Sequence, residues 1–212
     1  MTSAPASKAA STGAGGNTSD GGGAVMLGDY SSLTATDTTF DGNYAVKSGG
    51  AINAYASHVA VKIEGGSVSF NGAGENGGAM QIYSQKSSGS YVKGAKIQGN
   101  KAAGNGGAVS VTKGKYFTID SCTEFSGNTA GGLGNGCYAA GNLTLAGTCY
   151  LEDQVYLHEN DSPLSLNSDF ALSGTQQIPL RYNADTADGN VFETGATLIK
   201  GSANTSLTQA QC

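Results

Sequence analysis

Short runs in which apolar and polar residues alternate fill the chain from about residue 21 onward. Val59, Val61 and Ile63 form one such run, and Leu143 and Leu145 belong to another. A period of two predicts β-strands, and the Gly, Asn and Ser residues between the runs predict tight turns. Because no segment has a helical period, we expect strands of three to five residues and no helix.

Two short motifs recur along the middle of the chain with a shared period of about 28 residues. The first is apolar-x-Gly-Asn, found at Phe40–Asn43, Ile97–Asn100 and Phe125–Asn128, with Phe70–Ala73 as a variant that lacks the final Asn. The second, Gly-Gly-Ala-apolar, follows each copy of the first. Its glycine pairs are Gly22 with Gly23, Gly49 with Gly50, Gly77 with Gly78, and Gly106 with Gly107, and we place a degenerate fifth copy at Asn135–Tyr138.

This period predicts an all-β fold, a right-handed parallel β-helix of about 28 residues per coil. One repeat holds about three short strands, too few to bury its own apolar face, so stacked coils must bury it together. Equivalent residues of adjacent coils then lie about 4.8 Å apart. We expect the glycine pairs at corners that need positive φ or close backbone approach. We also expect an amide ladder through Asn43, Asn100 and Asn128, with a gap at Ala73.

Composition divides the chain into three parts. Residues 1–20 are almost all small or polar and predict a flexible tail, residues 21–150 hold the regular repeats, and residues 151–212 predict less regular coils or a cap. The first part lacks the apolar core of a signal peptide, so we expect the chain to be a segment of a larger exported protein.

Charge and hydropathy exclude several classes of partner. The formal net charge is −5, and Arg181 is the single arginine among 212 residues. This balance argues against nucleic acid and against anionic membrane surfaces. No apolar run approaches the roughly 18 to 20 residues of a membrane span, so we expect no direct membrane insertion.

The paired motifs resemble the repeat of chlamydial polymorphic outer membrane proteins, which combines Phe-x-x-Asn with a Gly-Gly-Ala-Ile-type sequence. The resemblance covers roughly residues 17 to 140, and it is carried by the copies that begin at Phe40, Ile97 and Phe125 with their glycine pairs. Ile97 departs from the Phe of that pattern, and Ala73 and Asn135 depart from its Asn and Gly. The resemblance implies a β-helix passenger of an autotransporter, exposed on a cell surface and used in adhesion.

The residues that could carry catalysis are scattered. β-Helical lyases and hydrolases need clustered carboxylates, and the nearest pairs here are Asp120 with Glu124 and Glu152 with Asp153. His58 and His158 lack neighbouring residues of the types that bind zinc. We therefore expect no catalytic residue, no metal site and no cofactor.

The leading hypothesis is a non-catalytic, extracellular adhesin region that binds a protein or glycan receptor on another cell. The alternative is a carbohydrate-active or glycan-binding β-helix, and a third hypothesis is a purely structural stalk. The segment Tyr83–Tyr91, with a tyrosine at each end of a polar loop, is a candidate recognition loop.

The cysteines suggest one cross-link between coils. Cys122 and Cys149 are 27 residues apart, close to one period, and residues stacked at about 4.8 Å fall inside the Cα–Cα range of a disulfide. An exported protein meets oxidising conditions, so we predict a Cys122–Cys149 disulfide, with two buried thiols as the alternative. Cys137 at the Ala position of the fifth motif should point inward, and terminal Cys212 could pair with it or with another chain.

Overall fold

A computed structural model describes residues 8–10, 21–56, 58–83, 89–122, 124–158, 164–172, 178–182 and 199–201, with the backbone alone at 8–10, 172, 182 and 199–201. All regular secondary structure in these ranges is β-strand. The same ranges contain no helix of the length and apolarity needed to cross a membrane. Cys212 and residues 84–88 of the candidate recognition loop lie outside the described residues.

The strands are short, with two to five residues each. In chain order they are β1 Lys8–Ala10, β2 Val25–Met26, β3 Ser32–Thr36, β4 Thr39–Asp41, β5 Tyr44–Ala45, β6 Ile52–Ala54, β7 Ala60–Glu64, β8 Ser67–Ser69, β9 Gly72–Ala73, β10 Met80–Ile82, β11 Tyr91–Lys93, β12 Lys96–Gln98, β13 Lys101–Ala102, β14 Val109–Val111, β15 Tyr116–Asp120, β16 Glu124–Ser126, β17 Thr129–Ala130, β18 Cys137–Ala139, β19 Asn142–Ala146, β20 Thr148–Cys149, β21 Val155–Leu157, β22 Leu164–Leu166, β23 Ala171–Leu172, β24 Leu180–Tyr182 and β25 Ile199–Gly201.

These strands stack into parallel sheets that run along a solenoid. Sheet I has the order β2-β6-β10-β14-β18-β21-β24, sheet II β25-β22-β19-β15-β11-β7-β3, sheet III β1-β4-β8-β12-β16, sheet IV β5-β9-β13-β17, and sheet V β20-β23. Each regular coil visits sheets I, II, III and IV in turn, and equivalent strands are about 28 residues apart. The predicted parallel β-helical architecture is confirmed. A regular coil has four strands rather than about three, because the sheet IV strand has only two residues and leaves no alternating pattern.

The core is built from rows of apolar side chains, one from each coil. One row on sheet I consists of five fully buried residues that pair in register from coil to coil: Ile52, Met80, Val109, Cys137 and Val155. Each row therefore buries continuous apolar surface along the axis, although one coil alone has no core.

The motif variant near Phe70 is shifted from its predicted alignment. Val68 is the residue that pairs with Phe40 and with Ile97, so Val68–Asn71 is the equivalent segment. Phe70 occupies the glycine position with φ of 54° and a 62% exposed side chain. The predicted gap at Ala73 is therefore wrong, because Asn71 fills the Asn position.

The amide ladder runs through four consecutive coils without a gap. The Nδ2 groups of Asn43, Asn71 and Asn100 donate to Oδ1 of the next Asn at 2.9, 2.9 and 2.8 Å, and the row ends with Asn128. Each of these Oδ1 atoms also accepts the backbone N–H of the preceding Asn. All four side chains are buried, so the ladder satisfies polar groups that water does not reach.

The fifth glycine motif begins one residue earlier than predicted. Cys137 pairs with Val109, and Gly134 has a φ of 70°, like the 69° of Gly106. The copy is therefore Gly134–Cys137, and Cys137 points inward from the apolar position rather than from the Ala position.

The coil that follows Cys137 is shorter than the regular ones. Val155 is the register partner of Cys137, only 18 residues further on, and sheet IV ends at β17. The shortened coil explains why Asn135 can stand at the second glycine position of its motif. At Gly107, the equivalent residue one coil earlier, a Cβ would lie 2.1 Å from the Asn135 carbonyl oxygen of the next coil. No sheet IV corner covers Asn135 in this way, because sheet IV ends at β17.

Both ends of the described chain continue the stacking. Lys8–Ala10 pairs in parallel with Thr39–Asp41 of sheet III, and strands β21 to β25 extend the sheets beyond residue 151. The other residues of 1–20 lie outside the described residues, so the flexible tail and the domain boundaries stay predictions.

Candidate ligand groove

The outer face of sheet I has a row of polar and aromatic side chains, one from each coil. Asn53, Gln81, Ser110, Tyr138 and Tyr156 follow one another in register across β6, β10, β14, β18 and β21. Their strand neighbours point into the core, so this row points outward. Four of the five are nevertheless buried, with Gln81 only 2% exposed. Structure on both sides must therefore rise above the sheet.

Two adjoining cavities lie over this row. They share Asn76 and Tyr83, and we call them together the sheet I groove. The smaller has a volume of about 230 Å³ and is lined by Lys47, Ser48, Asn53, Tyr55, Glu75, Asn76 and Tyr83. The larger has a volume of about 340 Å³ and is lined by Asn76, Gln81, Tyr83, Asn105, Ser110, Val111, Thr112, Lys113, Tyr138, Ala140 and His158.

The local sequence explains why a groove forms here. Residues such as Asn76 and Asn105 come just before the glycine pair that starts each sheet I strand, and they form one wall. Residues such as Tyr83 and Thr112 come just after the strand and form the other. Because the strands of sheet I have at most three residues, the two walls stand close together over the two cavities.

Gln81 lies in the floor of the groove with one polar atom unsatisfied. Its Nε2 donates to Thr112 Oγ1 at 3.1 Å, but its buried Oε1 accepts no hydrogen bond within the part of the chain that the structure describes. The buried Nδ1 of His158, at the far end of the groove, also has no hydrogen-bond partner among the described residues. A buried polar atom left unpaired costs about 1–3 kcal/mol, so a groove that keeps such atoms is suited to a polar ligand.

The wall asparagines present hydrogen-bond donors. Asn76 Oδ1 accepts the backbone N–H of Asn105 at 2.8 Å, and Asn105 Oδ1 accepts that of Leu133 at 2.8 Å. These contacts fix both side chains and leave their Nδ2 groups as the atoms that can serve a ligand.

Aromatic rings occur at both ends of the groove. Tyr55 and Tyr83 lie one coil apart with ring centroids 5.6 Å apart, and they are 53% and 43% exposed. Tyr138 stacks on Tyr156 at 5.9 Å and meets the His158 ring at 5.4 Å. The first pair offers exposed ring faces at the rim, whereas the second is packed into the floor.

Few charged groups line the groove. In the part of the chain that the structure describes, Lys47 and Glu75 line the smaller cavity and Lys113 lines the larger, which gives two ammonium groups and one carboxylate. The Glu75 carboxylate accepts a hydrogen bond from Ser48 Oγ at 3.2 Å. Amides, hydroxyls and rings dominate the surface that a ligand would contact.

The carboxylates considered for catalysis are engaged elsewhere. Asp120 pairs with Lys93 at 3.1 Å, and Glu124 pairs with Lys96 at 3.5 Å. Neither lines the groove. Within the described ranges no three His, Cys, Asp or Glu side chains are grouped closely enough to hold a metal ion.

Asp153 ends the amide ladder. Its Oδ2 accepts both the backbone N–H of Asn128 at 2.9 Å and the Nδ2 of the same residue at 2.6 Å. Burial raises the pKa of this carboxyl, although the hydrogen bonds from Asn128 act in the opposite direction. Glu152, which the sequence pairs with Asp153 as a candidate carboxylate cluster, accepts a hydrogen bond from the Tyr150 hydroxyl.

The three described cysteines are free, buried thiols in the structure. Cys122 and Cys149 lie in adjacent coils, where the Tyr150 N–H donates to the Cys122 carbonyl at 3.0 Å. Burial, reinforced by neighbouring Cys149, raises the pKa of Cys122 to about 12, and burial also raises the pKa of Cys149. High pKa values slow thiol exchange. The Cys122–Cys149 disulfide stays a prediction, which peptide mapping without reduction tests.

Sequence reasoning singled out Tyr83 but missed Gln81, Asn76 and Asn105. The signal was available: after each glycine pair, one polar residue stands between two core residues, as in Met80-Gln81-Ile82 and Val109-Ser110-Val111. An outward polar side chain is ordinary in a half-buried strand, so only its burial marks the site.

Comparison with known proteins does not extend these observations. No protein-family model matches the chain, no curated protein matches it, and no solved structure matches it. Its own residues therefore carry the functional argument.

Proposed function

We propose that this chain is a non-catalytic binding region of an extracellular surface adhesin, with the sheet I groove as its ligand-binding site. The observation that supports this proposal is a groove across several coils that holds buried, unsatisfied polar atoms and exposed tyrosines. A buried acceptor such as Gln81 Oε1 costs stability in the free protein, and a bound ligand would recover that cost.

The extracellular assignment and the passenger role rest on the resemblance to chlamydial polymorphic outer membrane proteins. The paired motifs, from Phe40–Asn43 with Gly49 onward, carry that resemblance over the regular coils. On this proposal the solenoid holds the groove away from the cell that makes it, and other parts of a longer protein attach it there.

A binding role fits the groove better than catalysis does. General acid–base cleavage of a glycan needs two carboxyl groups on either side of the scissile bond. Glu75 is the single carboxylate that lines the groove among the described residues. The alternative, a carbohydrate-active or glycan-binding β-helix, predicts turnover of a polysaccharide or specific binding to one.

Adhesion of beads coated with the full chain tests the proposal. We expect the beads to bind cultured epithelial cells or immobilised extracellular matrix, and we expect Tyr83→Ala to reduce this binding. Tyr116→Ala is the matched control, since Tyr116 is 45% exposed but lies on sheet II outside the groove. Absence of adhesion, an equal loss in both variants, or specific release of reducing ends from a polysaccharide would overturn the proposal.

A further inference from the structure

We infer that the ligand of the sheet I groove is an extended, uncharged oligosaccharide, bound by the Gln81 and Asn105 amides and stacked on Tyr83. This inference rests on the proposed binding function and adds the chemistry of the ligand.

The hydrogen-bonding groups of the groove match sugar hydroxyls. Gln81 Oε1 is a buried acceptor, while Asn76 and Asn105 present Nδ2 donors once their Oδ1 atoms are occupied. A hydroxyl donates one hydrogen bond and accepts others, so a single sugar hydroxyl can serve an acceptor and a donor together. Side chains that offer acceptors and donors side by side favour a polyhydroxylated ligand over one with acceptors alone.

The repeat along the groove fits a chain of pyranose rings. The floor residues that line the cavities are Asn53, Gln81, Ser110 and Tyr138, and they follow one another at the strand spacing of about 4.8 Å, which is close to the length of one extended pyranose unit. Four positions span three such steps, about 14 Å. A trisaccharide would fill this length.

The exposed tyrosines supply the apolar contact that sugars need. Tyr55 and Tyr83 flank the same end of the groove, and each leaves about half of its side chain exposed. A tyrosine ring combines an apolar face with a polar tip, so it can stack on the C–H face of a pyranose while its hydroxyl stays hydrated.

Two features argue against other ligands. A peptide that binds by strand addition needs an exposed sheet edge, but this groove crosses the strands of sheet I at right angles to their direction. An anionic polymer would require several cations along its length, and among the described residues the lining has two, Lys47 and Lys113, with Glu75 opposing them.

Binding of the labelled full chain to an array of neutral, sialylated and sulfated oligosaccharides tests the inference. The tightest neutral trisaccharide is then titrated by calorimetry into the parent chain and three variants. Tyr83→Ala and Gln81→Met should each weaken binding about tenfold, the effect of one lost contact of about 1.4 kcal/mol. Tyr116→Ala should bind like the parent, and thermal unfolding of each variant confirms that it is folded.

Each outcome separates this inference from the proposed function. Neutral-glycan binding that both groove variants weaken supports the inference, even if cell adhesion fails. Adhesion that Tyr83→Ala removes, without binding to any glycan, overturns the oligosaccharide but leaves the adhesin. Binding only to sialylated or sulfated members, or equal binding by Tyr83→Ala and Tyr116→Ala, overturns the inference.

Discussion

Two polar rows run along the same coils, and their hydrogen bonding differs. In the amide ladder the residue type repeats, and each of Asn43, Asn71 and Asn100 gives its Nδ2 to the next coil. In the floor of the sheet I groove the residue type changes from coil to coil, and Gln81 keeps a buried acceptor unpaired. A row whose amides satisfy one another stabilises the solenoid, whereas the unpaired acceptor of Gln81 is suited to a ligand.

The largest effect should come from a third repeated row, the second glycines of the corner motif. In Gly107→Val the new Cβ would lie 2.1 Å from the Asn135 carbonyl oxygen and 2.6 Å from the Thr129 backbone, so the coils must separate. We expect the free energy of unfolding in urea to fall by more than about 3 kcal/mol. Asn135→Val is the matched control, because no sheet IV corner covers it, and it should change stability by less than about 1 kcal/mol. Equal losses would mean that coil-to-coil contact does not select glycine here.

The second test compares the two polar rows directly. Asn100→Ala removes the Oδ1 that accepts two hydrogen bonds, from the backbone N–H and the Nδ2 of Asn71. It also removes the Nδ2 that donates to the Val68 carbonyl and to Asn128 Oδ1. With about 1–3 kcal/mol for each buried group left unpaired, we expect a loss of more than about 2 kcal/mol in urea unfolding. Gln81→Met removes an unpaired acceptor together with one hydrogen bond, so its stability should stay close to that of the parent chain. If Gln81→Met costs as much as Asn100→Ala, the groove row is structural.

Phe70 offers a smaller, stabilising change beside the ladder. It stands at the glycine position of its motif with φ of 54°, a region in which a residue with a Cβ is strained by roughly 1–2 kcal/mol. Its ring covers Gly99, yet 62% of the side chain is exposed, so little burial is lost on truncation. We expect Phe70→Gly to raise the free energy of unfolding by about 0.5–1 kcal/mol. Phe70→Ala keeps the positive φ without the ring and should not stabilise; a loss of stability in Phe70→Gly would show that the ring contact outweighs the strain.

The smallest effect concerns the end of the ladder and depends on pH. Because burial raises the pKa of Asp153 above 3.8, the folded chain binds this proton more tightly than the unfolded chain does. Its contribution to stability therefore falls as the pH rises from 3.8 through the folded-state pKa, and the loss persists above that pKa. Asp153→Asn keeps an acceptor for Asn128 without the charge, so it should be more stable than the parent at pH 7.

Solvent screening at this partly buried carboxyl keeps that difference below about 1 kcal/mol. Thermal unfolding of both chains between pH 3 and pH 7 measures it, and we expect the difference to shrink toward pH 3. Asp169→Asn, at an exposed turn, is the control for a general change in net charge. A parent chain that is more stable than Asp153→Asn at pH 7 would contradict the expected sign.

The sequence alone determined the architecture, because equivalent residues of stacked coils contact one another. The contacts of a solenoid therefore recur at the period of the sequence repeat. Gly22, Gly49, Gly77 and Gly106 recur at the corner before each sheet I strand, where φ is positive, and the alternating runs between them identify the strands. Local constraints of this kind act on each coil separately, so the same residue types return about every 28 positions. They also carried the resemblance from which the adhesin hypothesis came.

Tertiary structure decided the register and the groove. Val68 replaces the motif Phe, so the sequence pattern favours Phe70 at that position, and only the pairing of Val68 with Phe40 and Ile97 places Asn71 in the ladder. The burial of Gln81 depends on walls contributed by residues from neighbouring coils, which no local pattern contains. Residue type and period follow from local backbone and packing requirements, whereas the accessibility and hydrogen-bond satisfaction of a side chain depend on which coils stack around it.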